Sequence, residues 1–145
     1  MHPAWANRDF EISTDPARID VAVVHGFLTN CYWAKGISLE LVRRSIEHSV
    51  CFSIFHGQAQ IGFARVITDR ATFAYLADVF VLESHRGKGL SKWLMECIQS
   101  HPDLQSLRRW MLATGDAHGL YRQFGFHELA NPERFMEIHY PYKES

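Results

Sequence analysis

Two short stretches carry residues whose types and spacing can do chemistry. The first is LESHRGKGLSKWLM, residues 82–95. Arg86 and Lys88 alternate there with Gly87 and Gly89, and Ser91 follows, between a strand-like apolar run and a helix-like one. A strand that turns through glycines into a helix start can hold an anion. The first amides of a helix are free donors, its dipole favours negative charge, and glycine lets the backbone approach closely. Phosphate suits such a site. The stretch is not a P-loop, because Gly89 rather than Ser or Thr follows Lys88, and not a dinucleotide fingerprint, because Lys92 stands where the third glycine belongs. Read alone, the same residues also suit a basic turn with a glycine cap. The second stretch is TGDAHGLYRQFGF, residues 114–126. It places the phenol of Tyr121 one helical turn after the imidazole of His118. A phenol stays protonated at neutral pH and can give its proton to a leaving group.

Regular elements must position these groups. DFEIS, residues 9–13, reads as a first strand. A helix follows, capped by Thr14 or Asp15 with Pro16 in its first turn and with Ile19, Val23 and Phe27 on one face. After the aromatic loop CYWAKGIS comes a second helix, capped by Ser38, with Leu39, Val42 and Ile46 turned inward. Two strands flank the HGQ turn at Gly57. ATFAYLADVFVLE, residues 71–83, reads as a central strand buried on both faces. A helix over 87–100 puts Leu90, Leu94, Cys97 and Ile98 on one stripe and stops at His101-Pro102. LRRWMLAT is a strand, DAHGLYRQFGF a helix started by Thr114 or Asp116 and ended at Gly125, and ERFMEIHY, residues 133–140, a last strand. The order is β-α-α-β-β-β-α-β-α-β, an α/β arrangement with antiparallel early strands and one parallel βαβ step.

Composition bounds the function. A chain of 145 residues, 47% hydrophobic and 13% aromatic, reads as one folded domain over 1–145. The net charge of -1 gives no global attraction to nucleic acid or anionic membrane. Arg43, Arg44, Arg108 and Arg109 are interspersed with acids and form no basic stripe. No run of 18 apolar residues is present, and the N-terminus lacks the apolar core of a signal peptide. Three cysteines without a CxxC suit a reduced, cytoplasmic setting. Nine histidines show neither HExxH nor paired Cys/His spacing, so no metal is expected.

VFVLESHRGKGLSKWLM resembles the acetyl-CoA loop of the GNAT acyltransferases, Arg/Gln-x-x-Gly-x-Gly/Ala, with Arg86, Gly89 and Ser91 at the specified positions. Ser91 replaces the usual Gly or Ala. A second family pattern, Asn-x-x-Ala-x-x-Leu-Tyr with a following Gly-Phe, is similar to Thr114, Ala117, Leu120, Tyr121 and Gly125-Phe126, with Thr114 in place of Asn. The resemblance implies a GNAT fold: a mixed central sheet of about six to seven strands, about four helices, and two middle strands that splay apart to admit acetyl-CoA. It implies that the diphosphate sits on the amides of Gly87, Lys88, Gly89, Leu90 and Ser91 beside Arg86, that the pantetheine arm runs along Val79, Phe80 and Val81, and that Thr114 lies near that arm. It implies acetyl transfer to a primary amine of a small molecule or peptide, with an N–H near Val79 on the oxyanion and Tyr121 protonating the thiolate.

The acceptor loop is less legible. Tyr32 and Trp33 either line an amine pocket or close the core. Cys31 lacks a base nearby in sequence and reads as a plain loop cysteine, and His118 as a partly exposed helix residue. A homodimer is compatible with the chain. The competing function is an acyl-CoA-binding module without turnover. In several GNAT enzymes the base projects from the positions matching Tyr75 and Ala77, neither of which is a carboxylate or histidine here. Alternation along YLADVFV puts Tyr75, Ala77, Val79 and Val81 on one face and Leu76, Asp78 and Phe80 on the other, unless a bulge reverses it. The expectation is that no side chain of this strand takes the substrate proton, and that Asp78 serves structure by binding backbone or a basic partner.

Overall fold

A six-stranded sheet in chain order organises the molecule in the computed structural model, which describes residues 1–143. The strands are β1 (Ala4–Asn7), β2 (Phe10–Ser13), β3 (Val50–His56), β4 (Ala59–Thr68), β5 (Phe73–Val81) and β6 (Arg109–Leu112). The first five run antiparallel to their neighbours, and β5 and β6 are parallel. Four α-helices cover the sheet: α1 (Val21–Leu28), α2 (Leu39–Glu47), α3 (Leu90–Ser100) and α4 (His118–Arg122). The mixed architecture expected from the sequence is the one found.

Each face of the sheet buries its own core. One joins Ile12, Phe52, Ile54, Ala64, Val66, Ala74 and Leu76 to Leu90, Leu94, Met95 and Ile98 of α3 and to Tyr121 of α4. The other joins Cys51, Phe63 and Phe80 to Val24 and Leu28 of α1 and Val42 of α2. β5 contributes to both cores, as its nearly unbroken apolar run predicts.

Several boundaries differ from the sequence reading. The long first helix is broken. Asp15 caps a short 3-10 turn, Pro16–Arg18, and α1 starts only at Val21 under a second cap, Asp20. The break is fixed by the buried Gln60 of β4, whose side-chain oxygen accepts from the Asp20 amide at 2.7 Å. The resulting phase buries Val24 and Leu28 rather than Val23. Leu39 of α2 is exposed rather than inward, while Ser38 caps that helix as expected, accepting from Leu41 N. β1 is an added edge strand. ERFMEIHY forms no strand; only a 3-10 turn, Pro132–Arg134, is regular there. α4 spans five residues, shorter than expected, and Gly125 follows it at φ 93°.

Candidate active site

The sheet opens between its last two strands. β5 pairs with β6 only from Phe73↔Arg109 to Leu76↔Leu112. From Ala77 onward, the side of β5 away from β4 has no neighbouring strand. The opening leads to the loop before α3, where Gly87 and Gly89 take left-handed φ values of 81° and 76°. Only glycine adopts these at little cost. Gly89 serves as N-cap without a side-chain cap, and the first amide to find a helical acceptor is Trp93 N, on Gly89 O. The amides of Gly87 through Lys92 therefore donate to nothing among the described residues. A Cβ built at Gly87 or Gly89 meets no atom within 4 Å. The chain here carries a row of unpaired backbone donors, with open space beside its two glycines.

The other predicted residues frame this row. Arg86 Nε donates to the Val81 carbonyl at 3.0 Å, tying the loop to the end of β5. Leu90 is buried in the core and anchors the helix start, while Lys88 is exposed and Ser91 half-buried. Val79 is half-buried, and Phe80 and Val81 are buried. Thr114 Oγ1 accepts from Ala117 N at 3.0 Å, so its oxygen caps the turn into α4. Tyr121 packs edge-on to Phe126 and is only 8% exposed. Burial pushes its phenol up to about 12, with smaller contributions from nearby Tyr32 and Asp116. The hydroxyl is not a buried orphan, a condition confined among the described residues to Ser53 Oγ. His118 is exposed at the start of α4. Cys31 Sγ donates to Leu28 O, and burial raises its thiol, which leaves it a poor nucleophile.

Asp78 departs from simple alternation. Arg65↔Ala77 and Phe63↔Phe80 pair across β4 and β5, so two steps on β4 face three on β5. Asp78 has φ 56°, which marks the bulge. The face flips there. Leu76 belongs to the α3 core and Val79 packs against it, whereas Asp78 joins Phe80 on the α1–α2 face. The bulge-free alternation is thus corrected: Asp78 points toward the α1–α2 loop. Both its oxygens are engaged there, Oδ2 by Arg65 Nε at 2.8 Å and Oδ1 by Trp33 Nε1 at 3.0 Å. The expected basic partner is Arg65, which spacing did not identify. Its signal is a lone charge in the apolar run IGFARVIT, which demands a buried counter-charge.

The ion pair is well shielded, its side chains 8% and 17% exposed. Removing one partner of a buried pair strands the other. Asp78→Ala should therefore destabilise the fold by about 2 kcal/mol, below the full penalty because Ser49 Oγ still accepts from Arg65. Asp78→Asn, which tolerates the left-handed backbone and keeps an acceptor for Trp33, should lose less. Urea titration of the two variants checks the order; equal losses would show that the charge pair contributes little.

Tyr32 and Trp33 reach both sides of the opening. Trp33 bonds to the β5 bulge, while Tyr32 Oη accepts from Gly115 N, just beyond β6, at 3.1 Å. Both rings remain exposed, Tyr32 at 64% and Trp33 at 41%, so they bridge the cleft rather than close the core. Two adjoining cavities of about 490 and 520 Å³ lie elsewhere, along the outer edge of β6. Tyr121 and Thr114 line the first; neither includes the glycine loop. The loop is a shallow row of amides, and a phosphate bound on a helix start needs no deep cavity. No three His, Cys, Asp or Glu side chains converge on a metal-sized site among the described residues, and no helix there is long and apolar enough to cross a membrane.

Comparison with known proteins agrees with this geometry. The family model described as Acetyltransferase (GNAT) domain matches residues 47–128, from the end of α2 past α4. A Gibberella zeae protein provisionally named an acetyltransferase is 30% identical over 141 residues, covering 81% of this chain and 78% of the relative. The crystal structure of a GNAT-family protein from Xanthomonas campestris pv. campestris is 52% identical and superimposes with a TM-score of 0.89 over 91% of this chain and 94% of that one. A GNAT family acetyltransferase from Elizabethkingia anophelis, solved with acetyl-CoA bound, shares the fold at a TM-score of 0.64 with 14% identity, over 83% of this chain and 78% of that one. With more than half of its length matched by the family model and its sheet opening before a free glycine loop, the chain belongs to the GNAT acetyltransferase family.

Proposed function

We propose that this protein transfers the acetyl group of acetyl-CoA to a primary amine of a small molecule or peptide, by direct attack in a ternary complex. The observation that carries the reading is the row of unpaired amides from Gly87 to Lys92, set at the end of an unpaired stretch of β5. The diphosphate fits that row, where the open space at Gly89 leaves room for it and Arg86 and Lys88 add positive charge. The pantetheine arm fits the free edge of Val79 to Val81, whose backbone groups then gain partners. When bound, acetyl-CoA supplies an activated thioester. The chain's own groups do the rest: an N–H near Val79 faces the developing oxyanion, and Tyr121 holds a proton for the leaving sulfur. Tyr32 and Trp33, bridging the cleft, present aromatic surface to the acceptor. The three free cysteines suit a reducing compartment and support a cytoplasmic setting.

Titration calorimetry with CoA and acetyl-CoA, followed by thiol-release assays over a panel of amines, tests the reading. Binding together with amine-dependent thiol release is expected. Binding without release for any amine would instead mark an acyl-CoA-holding module, and no binding at millimolar CoA would refute the site itself.

With Asp78 committed to Arg65 and Trp33, no carboxylate of β5 is free to accept the substrate proton. The amine must arrive neutral or lose its proton to water. At low amine concentration the rate should therefore rise with pH toward the amine's own pKa. The inflection should move when an amine of different pKa is used. An inflection near pH 6 to 7 that stays fixed across amines and vanishes in folded Asp78→Asn would make Asp78 the base.

A further inference from the structure

Two imidazoles outside the candidate active site face each other near the glycine loop. His56 ends β3, and His85 ends the 3-10 turn Glu83–His85, the step between β5 and Arg86. His56 Nδ1 lies 3.0 Å from His85 Nε2. Spacing rules miss this pair, because its members stand 29 residues apart in the chain. The β3–β4 hairpin that carries His56 flanks β5 from the β4 side, whereas the opening of the sheet lies toward β6. A ligand on the two rings therefore does not compete with one in the opening.

Neighbouring groups hold both rings in place. Phe10 stands opposite His56 across β2 and β3 and stacks on its ring at 4.7 Å. The same phenyl meets His85 edge-on at 6.2 Å. Ser84 Oγ lies 2.7 Å from His85 Nδ1, the other nitrogen of that ring. Among the described residues no carbonyl or carboxylate engages the two facing nitrogens, which bond only to each other. The pair is exposed, so an ion in solution reaches it. Imidazole nitrogen is a good ligand for zinc, copper and nickel, whereas magnesium and calcium take oxygen. Two such nitrogens held together in advance reduce the ordering that binding demands.

We propose that His56 Nδ1 and His85 Nε2 form a two-histidine site for a late first-row divalent cation such as zinc, with water completing the coordination shell. In the bound form His85 Nδ1–H donates to Ser84 Oγ, which leaves Nε2 its lone pair for the metal. His56 carries its proton on the outward Nε2 and offers the lone pair of Nδ1. Both rings are neutral before and after, so only the tautomer of His56 changes. The fit is close. Tetrahedral zinc with Zn–N bonds of about 2.0–2.1 Å sets its nitrogens roughly 3.3 Å apart, a few tenths of an ångström beyond the present separation. That geometry puts the ring centroids roughly 5.2 Å apart, and they stand at 5.1 Å now. The rings need only turn, while the backbone stays. Two protein ligands make the ion exchangeable rather than a closed structural centre. Once bound, it ties the turn that leads into Gly87 and Gly89 to the end of β3.

Zinc titration calorimetry on the full chain, with magnesium as the blank, tests the site. One zinc per chain is expected with a Kd below about 100 µM, and no heat from magnesium. His56→Phe, which keeps the stacking on Phe10, and His85→Gln should each weaken zinc binding by at least about tenfold. Ser84→Ala, which removes the acceptor behind His85, should weaken it by roughly tenfold. In NMR of wild-type protein labelled at histidine nitrogen, zinc should shift His56 Nδ1 and His85 Nε2. This arm decides the matter even if a variant does not fold. Absence of zinc binding to the wild type overturns the proposal. So does wild-type affinity in either folded histidine variant, or a zinc complex in which those two nitrogens do not shift, since the ion then sits on other ligands.

Discussion

Gly89→Glu should lower affinity for CoA by at least about a thousandfold, roughly 4 kcal/mol at 1.4 kcal/mol per decade. Three effects act in the same direction. Gly89 has φ 76°, a region costing a residue with a Cβ roughly 1–2 kcal/mol, so the loop resists keeping its shape. Its Cβ direction points into open space, which is where the reading places the diphosphate. A carboxylate there both fills the site and repels the phosphate charge. The first effect is shared by Gly89→Ala, which adds only a methyl group and no charge and should therefore retain measurable affinity. Calorimetry with CoA on both variants, alongside thermal melts, separates the terms. Wild-type affinity in Gly89→Glu would remove the loop from cofactor binding, whereas equal loss in both variants would assign the effect to backbone strain.

What sequence reading reached, and what it missed, follows the range of the interactions involved. The Ser38 cap, the Gly57 turn and the His101-Pro102 stop are set within a few residues, and each stands where the pattern put it. The stripe of α3 is buried as written because one helix period fixes it against one sheet face. Longer-range choices were not legible. The first helix breaks at Asp20 because Gln60, forty residues away, takes its amide. The bulge at Asp78 belongs to the register between β4 and β5, and no alternation rule contains it. Its consequence is large, since one extra residue moves Asp78, the one acid of that strand, to the face opposite the one that unbroken alternation gives it. The glycine loop was legible because its requirement is a local backbone one. The acceptor loop was not, because Tyr32 and Trp33 acquire their places from Gly115 and Asp78, which lie far off in the chain.

Tyr121→Phe should lower turnover by about ten- to a thousandfold and leave acetyl-CoA affinity nearly unchanged. The ring is a core residue, and phenylalanine preserves its packing against Phe126. The hydroxyl makes no bond that the fold depends on, so the melting temperature should hold. What disappears is a proton that matters only as the sulfur leaves, an interaction of the transition state rather than of binding. Burial first of all raises the phenol to about 12, and this looks unhelpful for an acid. The same burial acts on sulfur. The thiols of Cys51 and Cys97, in the two cores, are also pushed up to about 12, mainly by desolvation. A thiolate leaving into dry surroundings would be shifted in the same upward direction as the phenol, which lessens the disadvantage of a raised phenol as its proton donor. The sign of the pH dependence follows. A phenol whose folded pKa lies above its ordinary value of about 10 keeps its proton, and the stability that goes with it is full below pH 10 and lost as pH approaches 12. The wild-type rate should therefore show no alkaline fall owed to Tyr121 below pH 10. Wild-type turnover in Tyr121→Phe, measured with saturating acetyl-CoA and amine, would take the phenol out of the mechanism and leave His118 or water to protonate the sulfur.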